Sequence, residues 1–305
     1  MATTHLAPPA TQPQIEAPLR PWHLISLWHL TSLDAPTVAV TWTLAFAWAF
    51  QIHLPLWLPI TLALATWSAY IADRLLDAYR AHKPQTGVPH ISILRCGIDG
   101  LRPRHLFHWQ HRRLFLPTAI ASAAAALTLV LINMPPTART RNSVLAAAAL
   151  AYFTSVHNPW RLPSPKLRIP KELLVALIFT LACAIPTWAR ISTGRLVLLI
   201  IPILTFIALA WLNCQAIETW EAATRRAPIL PLAATLATLS LLAAIFLAQH
   251  HPRIATLEAA AAVSAALLAL LDRTQHRLTP TNLRAAADLV LLTPLALLIP
   301  TALGH

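Results

Sequence analysis

Long apolar runs rich in Leu and Ala alternate along the chain with short polar segments, and within the runs there is no two-residue alternation of the kind a barrel strand needs. A helix needs about 20 mostly apolar residues to cross roughly 30 Å of hydrocarbon, and in lipid only helices and closed barrels satisfy every backbone group. The pattern therefore predicts an all-α polytopic membrane protein of about nine transmembrane helices, at 27–50, 54–77, 114–134, 142–157, 171–189, 195–218, 228–249, 254–271 and 284–303. Pro36, Pro59, Pro186 and Pro294 fall inside these runs, where spanning helices tolerate proline, and kinks are expected there. Residues 1–19 are rich in Pro, Ala and Thr and lack the basic start and cleavage pattern of a signal peptide. They are expected to form a disordered cytoplasmic tail, leaving 20–305 as one transmembrane domain.

Composition agrees with the pattern: 57% of the 305 residues are hydrophobic and only 11% are charged. With a cytoplasmic N-terminus, 17 of the 23 lysines and arginines fall in cytoplasmic segments and 5 outside, with Arg74 set apart as part of a motif. That bias predicts a multi-pass protein of the inner or cell membrane, if bacterial, with its N-terminus inside and its C-terminus outside. The net charge of +12 is then a topology signal and a source of attraction for anionic head groups, and no nucleic-acid partner is expected. The lipid bilayer is the expected partner, and no obligate protein partner is predicted. Cys96, Cys183 and Cys214 lie far apart without metal spacing, which predicts neither a disulfide nor a zinc site.

The second run ends in WSAYIADRLLDAYR, residues 67–80, where Asp73 and Asp77 stand one helical turn apart on one face and Arg74 sits about 100° round. Charge at a spanning-helix end needs compensation, and two readings are open. Either Arg74 and Arg80 neutralise the pair at the interface, or the paired carboxylates hold Mg²⁺, which takes hard oxygen ligands and bridges to phosphates. A shift of 144 residues lays this segment on WLNCQAIETWE, at the end of another even-numbered run. The loop between the second and third runs carries RPRHLFHWQHRR, a cationic, partly amphipathic helix. His105, His108 and His111 are spread over two turns of it and do not converge on one metal. In the last run Arg284 precedes Asp288 by one turn, the spacing of a buried ion pair.

These segments resemble the UbiA-type intramembrane prenyltransferases, a superfamily of nine-helix proteins with a cytoplasmic N-terminus. Asp73 and Asp77 fall on the last two aspartates of that family's Asn-Asp-x-x-Asp-x-x-x-Asp motif, whose Asn and first Asp correspond here to Ala69 and Tyr70. The stretch from Tyr152 to Pro186 is similar to the family's segment after the fourth helix, a tyrosine followed by a proline-rich basic loop and a helix opening with a basic residue. Of the family's second acidic motif only Glu221 matches, with Ile217 four residues before it and Asn213 and Glu218 nearby. The resemblance implies Mg²⁺ held by Asp73, Asp77, Asn213, Glu218 and Glu221, with Asp73 and Asp77 catalytic. It also implies diphosphate binding by Lys166, Arg168, Lys171 and Arg104. The activity implied is transfer of a polyprenyl group from its diphosphate to an aromatic or lipid acceptor. The incomplete motifs leave an alternative, a catalytically degenerate member that binds a lipid or quinone.

Overall fold

The computed structural model describes residues 21–82, 103–157, 170–221 and 227–298. The expected tail, Lys166 and Arg168 lie outside them. The described residues are predominantly helical, without a strand: α1 (Pro21–Leu30), α2 (Asp34–Ala49), α3 (Trp57–His82), α4 (Pro103–Gln110), α5 (Arg112–Asn133), α6 (Pro136–His157), α7 (Lys171–Trp188), α8 (Leu196–Glu221), α9 (Ile229–Leu247), α10 (Pro252–Thr274) and α11 (Pro280–Leu289). Leu and Ala propagate these helices, and proline opens several of them, because a first-turn N–H has no partner to lose. Pro36 and Pro59 occupy the first turns of α2 and α3, so the kinks expected there are not required. Pro252 and Pro280 likewise begin α10 and α11, the latter capped by Thr279, whose side chain accepts from the Asn282 N–H.

Six helical stretches among the described residues are long and apolar enough to cross a membrane: Arg112–Asn133, Lys171–Trp188, Thr193–Glu221, Ile229–Leu247, Pro252–Arg277 and Pro280–Leu298. The chain is thus a multi-pass membrane protein. Large apolar side chains stand exposed along α5 (Ile120, Leu127, Ile132) and α9 (Leu242, Ile245, Phe246), a surface stable only where the solvent is lipid. The core lies between α2, α7, α8 and α10, where Trp42 stacks on Phe206 with ring centroids 3.8 Å apart.

Two expected spans are not continuous helices. The first breaks between α1 and α2. Hydrogen bonds from the Ser32 N–H to the His29 carbonyl and from the Leu33 N–H to the Trp28 carbonyl form a Schellman cap, with Ser32 in the left-handed region at φ 61°. The last turns from α11 into a 3₁₀ segment, Val290–Leu292, two of whose carbonyls are taken up by side chains. Trp42 Nε1 donates to the Leu291 oxygen at 2.9 Å and Ser264 Oγ to the Val290 oxygen at 2.7 Å. Backbone freed inside a membrane protein needs partners of this kind, and both breaks have them.

Candidate functional site

The break between α1 and α2 turns polar groups inward, and α3 covers it. Trp67 Nε1 donates to the Thr31 carbonyl at 3.0 Å and Arg74 NH1 to the His29 carbonyl at 3.0 Å. Asp34 opens α2 with Oδ1 accepting from the Ala35 N–H at 2.9 Å, which fixes the carboxylate beside the turn. Its Oδ2 lies 2.6 Å from His29 Nδ1 and 3.6 Å from Arg74 NH2. His29 Nδ1 also lies 3.4 Å from Asp288 Oδ2, on the far end of the chain. Asp288 Oδ1 in turn accepts from Asn213 Nδ2 at 3.3 Å. Arg74, Asp34, His29, Asp288 and Asn213 therefore form a continuous polar chain linking the ends of α3 and α8 through the broken first span and α11. His29, Asp34, Arg74 and Asn213 are each under 5% exposed.

A cap sits over the same break. Ser32 Oγ and His108 Nε2, both fully buried, are 3.1 Å apart, and the His108 ring lies 4.4 Å from that of Phe115. One turn earlier, His105 Nδ1 lies 3.9 Å from Asp77 Oδ2. The histidines of α4 thus anchor the cap to α3 and to the α1–α2 turn. Arg104 belongs to the same helix.

The expected site residues are divided between two neighbourhoods. Asp73 and Asp77 lie one turn apart at the end of α3, Asp77 with its side chain 44% exposed and facing α4. On α8, Glu218 Oε1 is 3.5 Å from Lys171 Nζ, so an expected metal ligand and an expected diphosphate ligand meet. Glu221 Oε1 accepts from Arg284 NH1 at 2.8 Å. Arg284 and Asp288, expected to pair with each other, instead reach α8 as a ladder, Arg284 to Glu221 and Asp288 to Asn213. Glu221 and Arg284 line a cavity of about 570 Å³ with Trp220, Asp272, Arg273 and His276, and Asp73 and Asp77 are not among its lining residues.

All five expected Mg²⁺ ligands offer oxygen, the donor chemistry that ion takes. Asn213 Oδ1 is buried with no hydrogen-bond partner among the described residues, while Glu218 and Glu221 face cations that a metal would displace. The sequence reading missed His29 and Asp34, although their signal was present: a histidine and an aspartate interrupting the first apolar run, where charge is costly without a partner. It also missed Glu258, fully buried in α10, whose Oε2 accepts from Thr205 Oγ1 at 2.9 Å. No family model, curated protein or solved structure matches the chain.

Proposed function

We propose that the chain is a UbiA-type intramembrane prenyltransferase that moves a polyprenyl group from its diphosphate to an aromatic or lipid acceptor, with its N-terminus cytoplasmic. If the broken α1–α2 rod counts as one crossing and α4 as a cap, the order of the described helices is compatible with nine crossings, which supports the reading; six of the stretches are long and apolar enough to cross by length and composition. The observation that carries the reading is the 3.5 Å approach of Lys171 to Glu218. A cation suited to phosphate oxygens and a carboxylate suited to their counter-ion come from separate segments and meet at the helix ends, where Lys171 is shared between Glu218 and its neighbour Glu172, each at 3.5 Å. Lys171 would turn to the diphosphate, joined by Lys166 and Arg168, which precede α7 in the sequence, and by Arg104 of α4, through charge-assisted hydrogen bonds. Asp73 and Asp77, with Glu218 and Glu221, would hold Mg²⁺, which supplies Lewis-acid neutralisation of a departing diphosphate.

The test is incubation of the purified protein with radiolabelled polyprenyl diphosphates and a panel of acceptors, with and without Mg²⁺. Transfer is expected only with Mg²⁺, and Asp73→Ala and Asp77→Ala are each expected to abolish it.

Two observations favour a second reading, in which the chain keeps this architecture and binds a lipid or quinone without chemistry. Glu221 is held at 2.8 Å by Arg284 beside a cavity that the α3 carboxylates do not line. Arg74, between those carboxylates in sequence, is withdrawn into the buried polar chain. Diphosphate binding that needs no Mg²⁺ and survives both substitutions decides for this alternative.

A further inference from the structure

We propose that His29 Nδ1, Asp34 Oδ2, Asp288 Oδ2 and Asn213 Oδ1 form a site for one divalent cation of the Zn²⁺ or Mn²⁺ type, distinct from the carboxylate pair of α3; it takes Asn213 out of the expected Mg²⁺ set and otherwise does not depend on the transferase reading. Two carboxylates from opposite ends of the chain converge on a single ring nitrogen, at 2.6 and 3.4 Å, and the three ligand atoms all lie within 4.8 Å of one another. One N–H can point at only one of those oxygens, whereas a cation at the same place serves both.

Asn213 supplies an independent observation. It is 4% exposed and its Nδ2 reaches Asp288 Oδ1 at 3.3 Å. Its Oδ1, on the same amide as the nitrogen that reaches Asp288, is buried without a hydrogen-bond partner among the described residues. A buried acceptor of this kind is costly unless something satisfies it, and a cation would.

The spacing is close to what a metal needs. Ligand atoms about 2.0–2.1 Å from a tetrahedral ion lie about 3.3 Å apart. The His29–Asp288 contact at 3.4 Å already meets this, and the His29–Asp34 contact meets it by opening less than about 1 Å. Arg74 takes an outer position: it bonds the His29 carbonyl and flanks Asp34 Oδ2 at 3.6 Å, orienting the ligands without filling their centre. With a neutral His29, two carboxylates face the one guanidinium of Arg74, so a bound divalent cation would take the place of the proton that an imidazolium would otherwise carry between them. An imidazole among carboxylate and amide oxygens selects a borderline ion over Mg²⁺ or Ca²⁺.

The full chain, purified in detergent through a histidine-free tag, would be exposed in turn to Zn²⁺, Mn²⁺ and Mg²⁺, and its bound metal quantified. The expected result is one equivalent of Zn²⁺ or Mn²⁺ per chain, retained against excess Mg²⁺, unchanged in Asp77→Ala and lost in Asp288→Asn and His29→Gln. Because those two variants also remove buried polar contacts, Co²⁺ bound to the wild-type chain provides a second readout, a visible spectrum of mixed imidazole and carboxylate coordination. Wild-type protein that takes up none of these borderline ions stoichiometrically, or metal that persists in both Asp288→Asn and His29→Gln, overturns the site and leaves a hydrogen-bonded network. Loss of transfer in Asp77→Ala with metal retained bears on the transferase reading alone.

Discussion

Ser32 and Gln51 are the two described non-glycine residues with positive φ, at 61° and 58°, and each occupies the same place, just past the end of a helix in a Schellman cap. The left-handed conformation costs an L-residue about 1–2 kcal/mol, and glycine avoids that cost while giving back part of it in unfolded-state entropy. Gln51→Gly is therefore expected to raise stability by about 0.5–1 kcal/mol, read as a later unfolding transition in detergent. Ser32→Gly is expected to gain less, because the hydroxyl beside His108 is lost with the strain. Trp42 illustrates a different residue-scale dependence, since its ring stacks on Phe206 while its N–H satisfies the Leu291 carbonyl. Trp42→Phe keeps an aromatic ring there but strands a buried oxygen, and a loss of about 1–3 kcal/mol is expected in the same assay.

Among elements, α8 is the axis of the molecule: it packs against α7, α9, α10 and α11. Its faces are held differently. Toward α11 it presents Asn213 and Glu221 to a ladder of Asp288 and Arg284, whereas toward α10 Thr205 holds Glu258 inside apolar surroundings. Thr205→Val leaves that carboxyl group without its donor and is expected to cost about 1–3 kcal/mol. Adding Glu258→Leu should recover most of the loss, because a buried polar pair replaced by packed apolar groups is often neutral or better. A double-mutant cycle on thermal unfolding measures it, and strictly additive losses would contradict the coupling. The all-helical class and the approximate places of the long apolar helices were legible in the sequence, because hydropathy and run length are local properties. The breaks at Ser32 and Val290–Leu292 were not, because each depends on partners far along the chain, His108 and Trp67 for one, Trp42 and Ser264 for the other.

At the scale of the whole molecule, the proposed activity depends on helix ends meeting at one side of the bilayer. Lys171→Glu and Glu218→Lys each place like charges together at the α7–α8 junction, and both are expected to abolish transfer. The double exchange restores the ion pair and is expected to recover stability without recovering transfer, since each charge then stands where the other's ligand would bind. A thermal-shift series run beside the radiolabel assay separates the two effects. Recovery of full transfer in the exchange would show the pair to be structural only.

The amino-acid sequence by itself determined an all-helical, membrane-crossing chain and placed an acidic pair at the end of α3, because apolar run length and one-turn spacing require no knowledge of neighbours. Tertiary structure alone decided which groups meet. On a single turn of α3, Asp77 faces the cap histidine while Arg74 faces Asp34 and His29, and Asp288 closes the centre from the far end of the chain. A rotation of about 100° per residue separates those directions, and only the packing of the other helices sets what lies along each of them.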